Sequence, residues 1–258
     1  MITIFALCGG YLELARESMV RDAPPGRWTV PIECFLVVHP RGRLLFDTGL
    51  HCDTMTNMLG RYGEERARRF GVHSRPGDDV VSQLARLELR PSDVRHVANS
   101  HWHFDHCGGN EFFPEATILV QQREMTAARS PEVLAKGTYR PSAADFDHAL
   151  RYQPVDGDHD VFGDGTVVLI PTYGHTPGHQ SLLVRSGRAS QLLFTADACY
   201  TRENMDRDVL PTVVWDEAEM SHSLRRLRDL RDKHGVRTVY GHDPEQWRTL
   251  PQAPVSFL

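Results

Sequence analysis

Residues 100–110 read SHWHFDHCGGN and hold three histidines and one aspartate inside six positions: His101, His103, Asp105 and His106. Neutral imidazole is the commonest protein ligand for transition metals, and carboxylates often accompany it. A divalent ion such as zinc takes three or four protein ligands and, where it does chemistry, leaves one position for water. His101 and His103 lie two apart, so in extended backbone both side chains point to one side. Asp105 and His106 follow the turn and face a second position beside the first. A single ion has no need of four ligands so tightly spaced. The stretch therefore predicts two neighbouring ions, each receiving two ligands from it. Gly108 and Gly109 let the chain turn tightly next to the ions, where a side chain would crowd it.

These residues need strands and helices to hold them. Apolar runs that read as buried strands occupy 2–7, 33–39, 43–49, 94–101, 116–121, 166–172, 179–185, 191–197 and 236–242. Val80, Val81, Leu84 and Leu87 recur at helical spacing over 78–89. Met220, Leu224, Leu227 and Leu230 do the same over 216–234, with Arg and Asp on the opposite face. A weak internal repeat joins these pieces. ECFLVVHPRGRLLFDTG (33–49) parallels QSLLVRSGRASQLLFTAD (180–197), and 84–101 parallels 224–242. Each half predicts a hairpin, then a helix, then a strand ending at a histidine. Two such halves packed sheet on sheet, with helices outside, give an α/β (α+β) four-layer αββα sandwich in one domain over 1–258.

The 258 residues are 40% hydrophobic and 24% charged, as in soluble globular proteins, with a net charge of -5. No basic stripe suits a phosphate backbone, so no nucleic-acid partner is expected. No apolar run reaches membrane-spanning length and no signal peptide is apparent, so no membrane partner is expected. Five scattered cysteines suggest reduced thiols and a cytoplasmic location. The oligomeric expectation is a monomer or homodimer.

HWHFDH resembles the metal motif of the metallo-β-lactamase superfamily, and the other elements of that family follow in order. DTG supplies Asp47, GHTPGH supplies His175, LLFTAD supplies Asp197 and GHD supplies His242. The resemblance runs from about residue 29 to the C-terminus. It implies a first metal on His101, His103 and His175, a second on Asp105, His106 and His242, and Asp197 bridging both. Asp47 would orient a ligand histidine by hydrogen bonding, and His179 would be structural. The expected cofactors are two divalent ions, zinc first among them. Two such ions carry four positive charges, of which Asp105, Asp197 and one bridging hydroxide remove three. The residual charge suits a developing oxyanion, and bound water reaches its hydroxide form near pH ~7.

DACYTREN (197–204) and GHDPEQ (241–246) are similar to strings of the quorum-quenching N-acyl homoserine lactonases. That resemblance implies ring opening of N-acyl homoserine lactones by a metal-bridging hydroxide. Tyr200 would reach the substrate carbonyl, and Asp105 would pass a proton to the leaving alkoxide. Phe104, Met55 and Met58 are expected to line the substrate pocket, with Leu59 and Tyr62 beside them. Another lactone such as 4-pyridoxolactone is an alternative substrate. A glyoxalase II-like thioesterase shares the ligands, but its usual C-terminal helical domain is not seen after His242. A non-haem iron oxidoreductase of the same fold is the reading from a different class. It is disfavoured because diiron flavoproteins place a carboxylate where His103 stands.

Overall fold

The apolar runs of the sequence become the strands of two sheets in this computed structural model, which describes residues 1–187 and 190–256. The first sheet is built from β1 (Thr3–Ala15), β2 (Arg27–His39), β3 (Gly42–Phe46), β4 (Gly71–Val72), β5 (His96–Ala98), β6 (Thr117–Gln121) and β7 (Arg151–Val155). Its strand order is β4-β1-β2-β3-β5-β6-β7. The second is built from β8 (His159–Asp160), β9 (Val167–Pro171), β10 (Gln180–Arg185), β11 (Gln191–Phe194) and β12 (Arg237–Val239), in the order β12-β11-β10-β9-β8.

The sheets meet through a shared apolar layer. Phe35, Phe46 and Leu119 of the first sheet pack in one cluster with Leu169, Leu182, Leu192 and Phe194 of the second. The Phe35 and Phe194 rings lie 4.3 Å apart and tilted, and each such buried side chain contributes about 1.5–3 kcal/mol. The opposite face of each sheet is covered by a helix. The helix Val80–Arg86, capped by the Asp79 carboxylate on Ser82 N–H (2.8 Å), buries Val80 and Leu84 against Leu36, Leu45, Val97 and Ile118. The helix Glu217–His234, capped by Asp216 and closed by Gly235 at φ 65°, buries Leu224 and Leu227 against Val168, Ile170, Leu183 and Leu193. The result is the expected αββα order of layers.

The repeat read from the sequence has a structural counterpart. The β2–β3 hairpin is followed by the helix Val80–Arg86 and by β5, which runs parallel to β3. The β10–β11 hairpin is followed by the helix Glu217–His234 and by β12, parallel to β11. The strands β1 and β2 are each 13 residues long, well beyond the predicted runs. A register shift between Cys8 and Tyr11, with Gly10 at φ 118°, interrupts the apolar pattern without ending the strand. The edge strand β7, RYQPV, also lay outside the expected strands. It is largely exposed and carries Pro154, which only an edge tolerates. Among the described residues no helix is long and apolar enough to cross a membrane.

Candidate metal centre

The donor residues all follow the C-terminal ends of strands. Asp47 follows β3, His101 to His106 follow β5, His175 follows β9, Asp197 follows β11 and His242 follows β12. The chain must leave each strand sharply to aim these side chains inward. Asp47 (φ 61°) and Ala196 (φ 44°) do so in the left-handed region, where non-glycine residues are uncommon.

Two clusters of donor atoms result. In the first, His103 Nδ1 lies 2.9 Å from His101 Nε2 and 3.0 Å from His175 Nε2. Asp197 Oδ2 lies 3.2 Å from His175 Nε2 and 3.8 Å from His101 Nε2. In the second, Asp197 Oδ1 lies 3.1 Å from His106 Nε2 and 3.0 Å from His242 Nε2, and Asp105 Oδ2 lies 3.8 Å from His106 Nε2. The two oxygens of one carboxylate thus serve two clusters. Four ligands at about 2.0–2.1 Å from one ion would themselves stand a little over 3 Å apart.

The positions of the imidazole protons decide whether cations fit. His175 Nδ1 lies 3.0 Å from the Val213 carbonyl and His242 Nδ1 lies 2.8 Å from the Pro31 carbonyl. A carbonyl only accepts, so each Nδ1 carries a proton and, in the neutral imidazole, each Nε2 presents a lone pair. His106 Nδ1 lies 2.9 Å from Asp47 Oδ2, which leaves His106 Nε2 in the same state. Ser100 Oγ donates to Asp47 Oδ2 at 2.7 Å and stands 3.0 Å from His101 Nδ1, so His101 Nδ1–H donates to it. Lone pairs therefore converge in each cluster. His103 Nδ1 holds at most one proton, which cannot satisfy both of its nitrogen neighbours. His106 Nε2 and Asp197 Oδ1 are buried and, though close, share no hydrogen bond of acceptable geometry. Such an arrangement is stable with a cation in each cluster.

Electrostatics agree. Burial, and then repulsion from neighbouring imidazoles, hold His101 and His103 well below the usual histidine range, in the neutral ligating form. Burial alone would raise Asp197, but His106, His242 and His175 together hold it well below the usual carboxylate range. Burial would likewise lower His106, yet the carboxylates of Asp197, Asp105 and Asp47 push it up. Without metal, that side of the site draws in protons where cations would sit.

The surrounding residues fix this geometry. Asp47 accepts from Ser100 N–H (2.6 Å) as well as from Ser100 Oγ, and so orients His106 directly and His101 through the serine. His179 stands outside the clusters: its Nε2 accepts Asp197 N–H at 3.1 Å and its Nδ1 meets Thr172 Oγ1 at 2.8 Å. Gly108 and Gly109 have ordinary torsions, at φ -58° and -91°. Their need for glycine is one of space. A Cβ on Gly108 would lie 2.4 Å from His51 N, and one on Gly109 2.7 Å from Thr48 O. The pair admits the strand-end loop 48–51, rather than the metals themselves.

Above the clusters opens a cavity of about 290 Å³. Asp105, Tyr200, Phe104, His103 and Asp197 reach it, and Leu12, Leu14, Met19 and Phe70 supply an apolar wall. Tyr200 Oη lies 3.3 Å from His175 Nδ1. That nitrogen already carries a proton for Val213, so the phenol proton turns instead to the side where Asp197 and the cavity lie. Phe104 packs against the Tyr62 and Phe70 rings at 5.0 and 5.3 Å. Met55 and Met58 do not line the cavity. Met58 packs behind it in the cluster that holds Phe104 and Tyr200. The helix Thr54–Arg69 is broken at Asn57 and at Gly63 (φ 81°), and the break turns Arg66, Arg69 and Phe70 toward the cavity instead.

The comparisons agree with this geometry. The profile of the metallo-beta-lactamase superfamily matches residues 27–242. The N-acyl homoserine lactonase AttM of Azorhizobium caulinodans is 36% identical over 98% of this chain and 97% of its own length. The N-acyl homoserine lactonase AiiA of Bacillus thuringiensis subsp. kurstaki is 31% identical over 97% of each chain. A solved N-acyl homoserine lactone hydrolase, with the product N-hexanoyl-L-homoserine bound at its catalytic metal centre, superposes with a TM-score of 0.87. It is 29% identical and covers 99% of this chain and 98% of its own. A chain whose strand ends assemble paired donor clusters around one shared aspartate, and whose whole length aligns with these enzymes, belongs to the metallo-β-lactamase superfamily and within it to the family of the N-acyl homoserine lactonases.

Proposed function

We propose that this chain is a dinuclear metal hydrolase that opens the ring of N-acyl homoserine lactones. The observation that carries this reading is the Asp197 carboxylate shared between two clusters of lone pairs, at the floor of a cavity that also receives the Tyr200 hydroxyl. His101, His103 and His175 would hold one ion, and Asp105, His106 and His242 the other, with Asp197 between them. Zinc suits this set of imidazole and carboxylate donors. The two cations would supply a Lewis acid for the lactone carbonyl and water in its hydroxide form near neutral pH.

The protein's own groups do the rest. The Tyr200 hydroxyl donates to the lactone carbonyl oxygen as negative charge grows on it. Burial, together with the charges of Asp197 and Asp105, pushes the phenol well above its usual range, so it keeps its proton. The Asp105 carboxylate takes the proton of the added hydroxide and returns it to the ring oxygen as the ester bond breaks. Leu12, Leu14, Met19, Phe70 and Phe104 exclude water and take up the acyl chain. The five cysteines are all unpaired, which supports a reducing compartment. We place the enzyme in the cytoplasm, as a monomer or homodimer acting on a small diffusible substrate.

A mass-spectrometric panel on metal-loaded protein tests the reading. It would include short and long N-acyl homoserine lactones, a simple γ-lactone, 4-pyridoxolactone and a glutathione thioester. Gain of one water by the acylated lactones, lost on chelation and restored by zinc, is the expected result. Cleavage of the thioester alone would overturn it.

A further inference from the structure

Glu124 takes no part in the reaction derived above, yet it is fully buried beside the site. It stands in the short helix Gln122–Ala128 and accepts four hydrogen bonds, all from neutral donors. Oε1 receives Trp102 N–H (2.9 Å) and the Tyr139 hydroxyl (2.6 Å). Oε2 receives the Thr176 hydroxyl (2.8 Å) and Gly178 N–H (2.9 Å).

The origin of these donors is informative. Trp102 separates His101 from His103. Thr176 follows His175, and Gly178 precedes His179, the residue that holds the Asp197 backbone. One carboxylate therefore ties together both segments whose nitrogens converge in the first cluster. The loop lies hard against it, since a Cβ on Gly178 would sit 2.1 Å from Glu124 N. Asp47 plays the matching part for the second cluster, through His106. A buried carboxylate with no cation beside it is costly unless its oxygens are well satisfied, and here both are.

We propose that Glu124 is a positioning residue for the first metal position: by fixing residues 101–103 against residues 175–178, it sets the convergence of His101, His103 and His175. The inference rests on reading the clusters as metal sites and is independent of which lactone is the substrate.

The test compares the full-length chain with Glu124→Gln, Thr176→Val and, as a control, Asp145→Asn. Glutamine keeps the shape, but its NH2 must face one of the two donor pairs. Asp145 is an equally buried carboxylate nearby, bound to Arg61 and Ser142; it makes no hydrogen bond of its own to either ligand segment and reaches Trp102 only through the Ser142 N–H. The readouts are metal ions per chain, the rate of ion release to a chromophoric chelator, and the visible spectrum of the cobalt-loaded protein. In Glu124→Gln one ion should leave about 10–100-fold faster, the usual effect of losing a partner outside the ligand set. The other ion should leave at the wild-type rate, and one component of the cobalt spectrum should shift. Thr176→Val should hasten release of the same ion to a smaller degree. Asp145→Asn should lower Tm and release both ions at the wild-type rate. Wild-type release of both ions from Glu124→Gln, or equal acceleration of both, would overturn the proposal. Should Glu124→Gln not fold, Thr176→Val decides by the same criterion. A wild-type chain that holds no ion would overturn the metal reading and this proposal with it, whereas a failed lactone panel touches neither.

Discussion

Replacing Asp47 by asparagine should disable one metal position and largely spare the other. The backbone there sits at φ 61°, a region that asparagine enters as readily as aspartate, so the turn itself is undisturbed. The new amide must offer its oxygen to Ser100 N–H, a buried backbone donor now 2.6 Å from Asp47 Oδ1. Its NH2 then faces His106 Nδ1, which lies 2.9 Å from Asp47 Oδ2. An NH2 donates, so Nδ1 must accept and the imidazole proton moves to Nε2, the atom aimed at Asp197 and His242. A protonated Nε2 cannot ligate. Restoring the ligating tautomer sets N–H against N–H and gives up a hydrogen bond to a charged group, a cost of about 1.5–3 kcal/mol. At ~1.4 kcal/mol per tenfold, affinity at the second position should fall by about 10–100-fold. The first position feels Asp47 only through Ser100 Oγ and His101 Nδ1, so its loss should be several-fold at most. Titration of metal-free protein with cobalt, competed against a chelator of known affinity, separates the two events. Two ions bound within twofold of wild-type affinity would refute the tautomer argument.

Two further outcomes are expected. Tyr200→Phe should lower kcat by roughly 10²-fold, the low end for losing one oxyanion donor, while metal analysis still finds two ions per chain. An unchanged rate across several lactones would remove the hydroxyl from the reaction. Glu33 is buried with neither carboxylate oxygen hydrogen-bonded, and burial, then the charge of Asp243, push its pKa well above the ordinary 4.5. In metal-free protein the folded state therefore keeps a proton that the unfolded chain gives up above that value. The contribution of Glu33 to stability is greatest below pH 4.5 and drains as pH rises toward the folded pKa. Urea unfolding between pH 5 and pH 8 should show Glu33→Gln losing less stability than wild type, and equal losses would refute the assignment.

The site was legible in the sequence where its chemistry is local. The spacing of His101, His103, Asp105 and His106 led to two donor clusters because backbone alternation and one turn decide where those side chains point. The distant donors His175, Asp197 and His242 became legible only through the family pattern, since no local rule says which strand ends meet. Glu124 left no mark in the sequence: each of its four partners is a tertiary contact, and QREM in a short helix reads as surface. The expected pocket residues Met55 and Met58 failed for a related reason. Their apolarity suggested a pocket wall, but the break at Gly63 decides which residues of the helix Thr54–Arg69 face the cavity. Of the fold, the buried runs were readable and the exposed edge strand β7 was not, because strand signals in a sequence are mostly burial signals.

The boundary between the two sheets coincides with a boundary in the chain. Every strand of the first sheet lies within residues 3–155 and every strand of the second within 159–239. The donors are divided along the same line. His101, His103, Asp105 and His106 belong to the earlier half, and His175, Asp197 and His242 to the later. Each cluster draws on both halves, so neither half alone owns a complete binding site. With ions bound, the seam would be held by coordination as well as by apolar packing, and the ions would act as rivets between two structural repeats. Asp197, with one oxygen in each cluster, fixes the relative offset of the halves.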